Sequence, residues 1–490
     1  MRFASGHKLS RWVMGLIVLG ACDPGGSNLG TDAVSLESVA FAPNSLMVTA
    51  AVGHIECSGP IVALQVTYRE PALGLGIGFE RTPRFSVTSC PAYLNVLGLL
   101  PSTEYSTWVT AWGKHGDHHT LRGPTIKTGS LPADLPHITV QTLGGRSNGL
   151  TAFGVITPSR TPGYAMIVDS IGRVRWYVAD SSHFIVDLEP QPNGSITLSV
   201  GTPSPFSPNP SAPNFDFHYS ERKMSGNILR RWTTGGYATD NHELRITADG
   251  SALLLGLDFR TVDLSASGGS PTAQVVGNVL ERVDSTGHVV FLWNAFDHLA
   301  VTDIDPSISL GTAVVDWTHS NAVEVDEDGN YLVSSRNLSE VTKIDSHNGN
   351  VVWRLGGVRN QFTFIGDAEM FSFQHGIRRL ANGDYILFDN GNTHTPPFSR
   401  AVEYHLDQEA KTATLVWSYR PRPDVYSFAL GFAQRLPNGN TLVTFGIPGT
   451  VHEVSNSGRL VWKLTVPAGN WIYRAYRIKS LYEPYMLERP

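Results

Sequence analysis

Lys343-Ile344-Asp345-Ser346-His347-Asn348-Gly349-Asn350-Val351-Val352-Trp353 reads as an apolar strand, a glycine turn and a second strand that ends in tryptophan. The same element stands at Ile167-Val168-Asp169-Ser170-Ile171-Gly172-Arg173-Val174-Arg175-Trp176, and looser copies run up to Trp232, Trp293, Trp417 and Trp462. The spacings between successive tryptophans are 56, 61, 60, 64 and 45 residues. Six copies at this period predict a six-bladed β-propeller over residues 135–480, each blade four-stranded and each tryptophan packed between neighbouring blades.

Between these copies lies a second element, a strand, Asn-Gly or Asp-Gly, and another strand. It occurs at Asn193-Gly194, Asp249-Gly250, Asp328-Gly329, Asn382-Gly383 and Asn438-Gly439. Such dipeptides between apolar runs predict tight hairpins with positive φ at both turn positions. Eight residues before each glycine stand Val186, His242, Asn321, His375 and Gly431. Equivalent positions in a propeller lie on a ring around one axis, so three consecutive copies place His, Asn and His together. His319 is two residues from Asn321, and strand alternation points both the same way. The same alternation turns Asp316 away from His319 and Glu243 away from His242.

One strand histidine is ordinarily a structural hydrogen-bonder; two at equivalent repeat positions, with a third alongside, argue for a site. Arg336 ends the strand after the Asp328-Gly329 hairpin. Its guanidinium is either a plain salt-bridge partner or a fork for a tetrahedral anion. Asp389-Asn390-Gly391-Asn392 reads as a turn, in preference to a group that holds loops around the site. A metal centre is the competing use of clustered histidines, but no carboxylate or third ligand joins them with firm geometry, and no CxxC or His-x-x-x-His spacing occurs; no metal is expected.

Upstream, residues 34–132 alternate apolar and polar in short runs such as Ile61-Val62-Ala63-Leu64-Gln65-Val66 and Thr107-Trp108-Val109-Thr110-Ala111-Trp112. Leu99-Leu100-Pro101-Ser102-Thr103-Glu104-Tyr105 resembles the tyrosine corner of fibronectin type III sandwiches, where a tyrosine hydroxyl ties a strand crossover to the backbone. A small fibronectin-III-like β-sandwich preceding the propeller is therefore expected, and the whole chain is all-β. Residues 23–33, rich in Gly, Ser, Asn and Asp, form a linker.

Residues 1–22 read as an export signal: Arg2, Lys8 and Arg11, then the apolar run Trp12 to Leu19, too short to span a bilayer. Leu19-Gly20-Ala21-Cys22 has the form of a bacterial lipobox, which makes Cys22 a lipid anchor and the protein a periplasmic or cell-surface lipoprotein with membrane contact. An ordinary signal peptide with an incidental cysteine is the alternative. Cys57 and Cys90 remain as a pair in an exported chain, so a disulfide is expected in preference to two buried thiols. The 490 residues carry a net charge of −6 and no basic cluster, which argues against a nucleic-acid partner.

A neutral imidazole is a good nucleophile near pH 7 and suits sulfuryl or phosphoryl transfer through a covalent intermediate. A single guanidinium with neutral donors balances a singly charged sulfate ester better than a phosphate monoester. The residues from Asp316 to Asn321, Arg336, Gln374-His375-Gly376, Asp389-Asn390-Gly391 and His242-Glu243-Leu244 together resemble the bacterial arylsulfate sulfotransferases. The resemblance spans most of residues 34–480. It implies an exported enzyme with a small β-sandwich and a six-bladed propeller, in which His375 becomes a sulfohistidine. It implies that His242, His319, Asn321 and Arg336 hold the sulfuryl oxygens and assist proton transfer. The implied reaction is ping-pong, from an aryl sulfate donor to a phenolic acceptor, with no cofactor and no nucleotide sulfate donor; no phosphate-binding Gly-rich loop is present. Members of that family are usually soluble periplasmic proteins, so Cys22 is a departure. Trp317, Phe373 and Tyr426 are aromatic candidates for the acceptor pocket, and a homodimer is left open. The alternatives are a non-catalytic cell-surface propeller that binds a ligand or protein, and a quinone-dependent dehydrogenase, against which six repeats and the lack of a calcium-ligand set both count.

Overall fold

The computed structural model describes residues 33–70, 78–158, 162–202 and 216–482. Cys22, the export signal and the linker before residue 33 lie outside the described residues. Among the described residues the strands assemble into eight sheets. Two belong to the N-terminal unit. One is ordered Ser35–Pro43, Ala50–Ser58, Ala92–Leu97; the other is ordered Phe79–Arg81, Ile61–Arg69, Glu104–Gly113, His118–Lys127, with Phe85–Ser86 also on Ile61–Arg69. The alternation read in the sequence is what closes their shared core: Ile55, Leu64, Val66, Val96, Val109 and Ala111 are all fully buried in it. Cys57 and Cys90 form a disulfide, Cα to Cα 5.5 Å. The Leu100 N–H donates to Tyr105 Oη at 2.8 Å, which fixes the crossover that the Leu99–Tyr105 run predicts.

The other six sheets follow one another along the chain; their hairpin strands pair antiparallel, and Val314–Asp316 and Thr363–Ile365 each add a parallel strand to one of them. The two ends of this array are exchanged. Ala475–Ile478, the last strand, pairs with Leu150–Val155 in the first sheet, while Thr139–Thr142, from the start, pairs with Leu460–Thr465 in the last. Trp176, Trp232, Trp293 and Trp353 lie on edge strands of their sheets, Trp417 and Trp462 on strands with one further strand beyond them, and Trp176, Trp353 and Trp462 are fully buried. Four donate their indole N–H across to the following sheet: Trp176 to Met224 O, Trp353 to Gln408 Oε1, Trp417 to Asn456 O and Trp462 to Ser170 O, at 2.8–3.0 Å. An indole supplies both apolar area and one donor, so each links neighbouring sheets twice over.

The hairpins differ from expectation in detail. Gly194, Gly250, Gly329, Gly383 and Gly439 all have positive φ, but the Asn or Asp before each does not. The glycine N–H bonds back three residues, as from Gly329 to Asp326 O, and Asp326 N–H closes the loop on Asn330 O. These are type I turns completed by a bulge glycine, one residue longer than the two-residue turns predicted.

Candidate active site

The histidine positions sit where four consecutive inner strands break register: between Ile185 and Asp187, Thr239 and Leu244, Ser320 and Ala322, and His375 and Arg378. A bulge re-aims side chains that regular pleating would send elsewhere. The three histidines converge as a result. The rings of His242 and His319 lie 4.9 Å apart, and Tyr473 lies 5.8 Å from His242 and 6.3 Å from His375. Tyr473 joins them from the residues that lead into the last strand, Ala475–Ile478.

His375 is fully buried at the start of the strand His375–Arg379. Its Nδ1 meets Asn390 Oδ1 at 2.7 Å. Asn390 has no freedom to present its amide nitrogen instead, because that nitrogen donates to Ser427 O at 2.6 Å and Leu430 O at 2.9 Å. His375 therefore carries its proton on Nδ1 and its lone pair on Nε2. The Leu430 N–H approaches Nε2 at a long 3.3 Å. Burial, then the Arg336 charge, hold this imidazole well below its ordinary titration range, outweighing the Asn390 hydrogen bond, so it is neutral near pH 7. The Asp389–Asn392 run is thus more than the turn it resembles in sequence. Gly376 follows with φ +68, and a Cβ there would meet the Phe432 ring at 2.7 Å.

The other two histidines are backed by carboxylates. His242 Nδ1 lies 2.5 Å from Asp240 Oδ1, and Asp240 is itself held by Asn278 at 3.0 Å. His319 Nδ1 pairs with Asp316 Oδ2. That pair corrects the expectation from strand alternation: His319 has φ +47 and precedes the strand Ser320–Val325, so alternation does not run through it. Burial pushes the Asp316 carboxyl up, but His319, with Arg336 and His242 behind it, wins and holds it below the usual carboxylate range. Glu243 does turn away from His242, onto Arg378 and Arg474.

Arg336 opens the short 3-10 turn Arg336–Leu338 and stacks 4.7 Å over the Phe373 ring. It donates to Asn337 Oδ1 at 2.6 Å and Phe428 O at 2.9 Å, which leaves three N–H groups uncommitted. Burial pushes its pKa down to about 10 despite Asp316 nearby. Asn321 is fully buried; one amide N–H donates to Gln374 O at 2.7 Å and its oxygen accepts from Gly376 N–H at 3.4 Å, so it is tied to the main chain flanking His375 and keeps its second amide N–H. Trp317 is fully buried against Phe296, Phe373 serves Arg336, and Tyr426 is half-exposed near that guanidinium.

The sequence profile of the arylsulfotransferase (ASST) family matches residues 138–463, more than half of the chain and every histidine just described. The chain belongs to the arylsulfotransferase family. The family relative "Arylsulfate sulfotransferase AssT" of Escherichia coli O6:H1 (strain CFT073) is 23% identical over 371 residues, covering 59% of this chain and 58% of that protein, so the chain spans somewhat more than half the length of this relative. Among solved structures, a protein of unknown function from Bacteroides caccae matches 67% of this chain and 98% of its own at 15% identity and TM-score 0.42. A virginiamycin B lyase from Staphylococcus aureus matches 68% and 75% at 9% identity and TM-score 0.28.

Two residues of this site lie beyond the profile match. Tyr473 Oη donates to Asn321 O at 3.0 Å, and the fully buried Arg474 donates to His242 O at 3.1 Å and Asn321 O at 2.6 Å. Sequence periodicity misses them because their sheet continues into Leu150–Val155, from the other end of the chain, so no hairpin glycine follows at the repeat spacing. Below them Arg474 and Arg378 clamp Glu243 at 3.0–3.1 Å and hold its carboxyl at about 2 against the cost of burial. Among the described residues no three His, Cys, Asp or Glu side chains converge to hold a metal ion.

Proposed function

We propose that this chain transfers a sulfuryl group from an aryl sulfate ester to a phenol by a ping-pong route through a sulfohistidine at His375. The observation that carries the reading is the contrast in partners. His375 is amide-backed, neutral and fixed as the Nδ1–H tautomer, whereas His242 and His319 are carboxylate-backed. An amide cannot balance an imidazolium and a carboxylate can, so the first suits a nucleophile and the others suit proton carriers.

In the first half-reaction His375 Nε2 attacks sulfur. The N–S bond forms, the S–O(aryl) bond breaks, and the electron pair leaves as a phenolate that takes a proton from the His242 or His319 imidazolium. The uncommitted N–H groups of Arg336 stabilise the equatorial oxygens. In the second, one of those imidazoles takes the acceptor's phenolic proton, the phenol oxygen attacks sulfur, and the N–S bond breaks. Atoms and charge balance without a nucleotide or other cofactor.

The test is incubation of the purified protein with 4-nitrophenyl sulfate, with and without phenol. Acceptor-dependent 4-nitrophenolate release, and a sulfuryl mass on the His375 peptide in quenched samples, are expected. No release with any acceptor would leave a binding module, and dye reduction with added quinone would point to a dehydrogenase.

The same proposal includes the architecture: residues 135–480 as a six-bladed β-propeller, supported by the exchange of strands between its ends, and residues 34–132 as a fibronectin-III-like sandwich. An experimental structure with a different sheet count would end that part. Export with a lipid anchor at Cys22 is likewise proposed; Cys22→Ser is expected to move the protein from the membrane fraction to the soluble one, and an unchanged distribution would refute the anchor.

A further inference from the structure

Three residues beyond the histidine ring, the inner strands build a second ring. Glu189, Arg245, Glu324, Arg378 and Gln434 each stand three positions after Val186, His242, Asn321, His375 and Gly431, and Tyr476 stands three after Tyr473. At ~3.3 Å per residue this ring lies about 10 Å further along the strands. All six residues line one cavity of about 440 Å³, a size suited to a small ligand, and none of the three histidines touches it. Glu243 and Arg474 lie between. The cavity sits at the end where the inner strands turn over their hairpins, since Pro192 and Ala381 line it too, and Leu380 and Phe432 add apolar wall.

The charged groups of this ring are unequally committed. Arg378 is tied to Glu243 at 3.1 Å and to Ile377 O at 2.8 Å. At the rim, Arg379 is paired with Glu327 and Arg435 with Glu403. Arg245 has no such tie. Its nearest acids are Glu324 at 3.5 Å and Glu189 at 3.8 Å, and among the described residues its guanidinium makes no hydrogen bond. Arg245 therefore lines the cavity with its donors held only by these two long ion pairs, free to fork onto a ligand acceptor. Glu189 is the second uncommitted group. Its carboxyl stands 3.6–3.8 Å from Arg378, Arg474 and Arg245, and among the described residues the carboxyl oxygens make no hydrogen bond. Burial, then the Glu243 charge, push its carboxyl up to about 8, so near pH 7 it offers a proton instead of a charge. Glu324, by contrast, already accepts from Val325 N–H at 3.0 Å and lies against the other nitrogen of Arg245. A guanidinium fork and a neutral carboxyl donor side by side, with apolar wall beside them, match one chemistry: an oxyanion that accepts several hydrogen bonds, on an apolar body.

We infer that this cavity is a second ligand site, separate from the histidine cluster, for a small organic carboxylate with an apolar body, held through Arg245 and Glu189. This does not rest on the sulfuryl-transfer reading.

Benzoate is the probe, titrated calorimetrically into the full chain. One saturable site is expected, with benzamide binding about tenfold or more weakly because it lacks the charge. Arg245→Gln is expected to weaken benzoate by about tenfold or more while leaving basal 4-nitrophenyl sulfate turnover within about twofold, and Arg336→Lys is expected to leave benzoate binding intact. Ala381→Trp, on an exposed hairpin, fills the cavity from its rim and is expected to abolish binding; it decides the matter if Arg245→Gln fails to fold. Absence of saturable binding to the wild type overturns the inference. So does binding that Arg336→Lys abolishes and that Arg245→Gln or Ala381→Trp leaves untouched, which would place benzoate among the histidines.

Discussion

Replacing Arg336 by methionine tests the site and its cost together. The guanidinium is partly buried, its Nε is enclosed without a partner, and desolvation drops its pKa from 12.5 to about 10. At pH 7 the charged form is the one present, and the folded state disfavours it by about 3 kcal/mol, at about 1.4 kcal/mol per pKa unit. Methionine removes that cost and leaves the acceptors Phe428 O and Asn337 Oδ1 without their donor, at about 1 kcal/mol each. The two nearly cancel, so the melting temperature is expected to stay the same or rise slightly. Catalysis does not benefit from the same cancellation. Losing the fork on the sulfuryl oxygens costs about 3–4 kcal/mol in the transition state, a factor of about 10²–10³ in the first half-reaction. The pH profile adds a third readout. Arg336 is the foremost charge holding His375 down, so its removal lets the His375 pKa rise, and activity fails at a higher pH as the solution is acidified. Arg336→Lys keeps the charge without the fork and is expected to restore the profile but not the rate. Rapid-mixing measurement of 4-nitrophenolate release across pH, with scanning calorimetry, checks all three. A rate loss under about tenfold, or a clear fall in melting temperature, would refute the reasoning.

Three further outcomes are expected. Asn390→Leu removes the group that fixes the His375 tautomer and is expected to lower kcat by about 10² or more with the donor's KM little changed; steady-state kinetics check it, and a KM effect alone would count against it. In the wild type, burial and Arg336 keep His375 deprotonated as the pH falls through the ordinary imidazole range, so the burst of 4-nitrophenolate is expected to stay level across that range. A burst that halves near the ordinary imidazole pKa would contradict this. Cys57→Ala opens the only disulfide among the described residues and is expected to destabilise the N-terminal unit by about 2–4 kcal/mol, seen as faster proteolysis between residues 33 and 130, with sulfuryl transfer retained.

The all-β character was legible because each sheet repeats the same local signals, a glycine turn and a terminal tryptophan, and these depend on near neighbours only. The ring of His242, Asn321 and His375 was legible for a related reason. Counting back from a hairpin glycine survives small changes in the turn, such as the bulge glycine found in place of a two-residue turn. Direction was harder. Strand alternation assumes regular φ and ψ, and the site is built where those fail: His319, Ser339, Met370, Phe373 and Leu430 all have positive φ, and four inner strands are bulged at the ring. Hence Asp316 reads as turned away and is bonded to His319.

A second group was illegible because its roles are assigned at long range. Asn390 looks like any turn asparagine until Ser427 and Leu430, 37 and 40 residues on, fix which way its amide faces. Leu430 and Phe428 take part through main-chain N–H and C=O, which every residue carries and no sequence marks. Tyr473 and Arg474 fail for a third reason. The first sheet is assembled from both ends of the chain, and the strand that completes it has no turn of its own to be counted from. The same arithmetic that found the histidines, carried three residues further, would have set Glu189, Arg245, Glu324 and Arg378 on one level. What it could not have supplied is that Arg378 is neutralised by Glu243 while Arg245 is left with no hydrogen bond, because that difference depends on Arg474, which arrives from the uncounted strand.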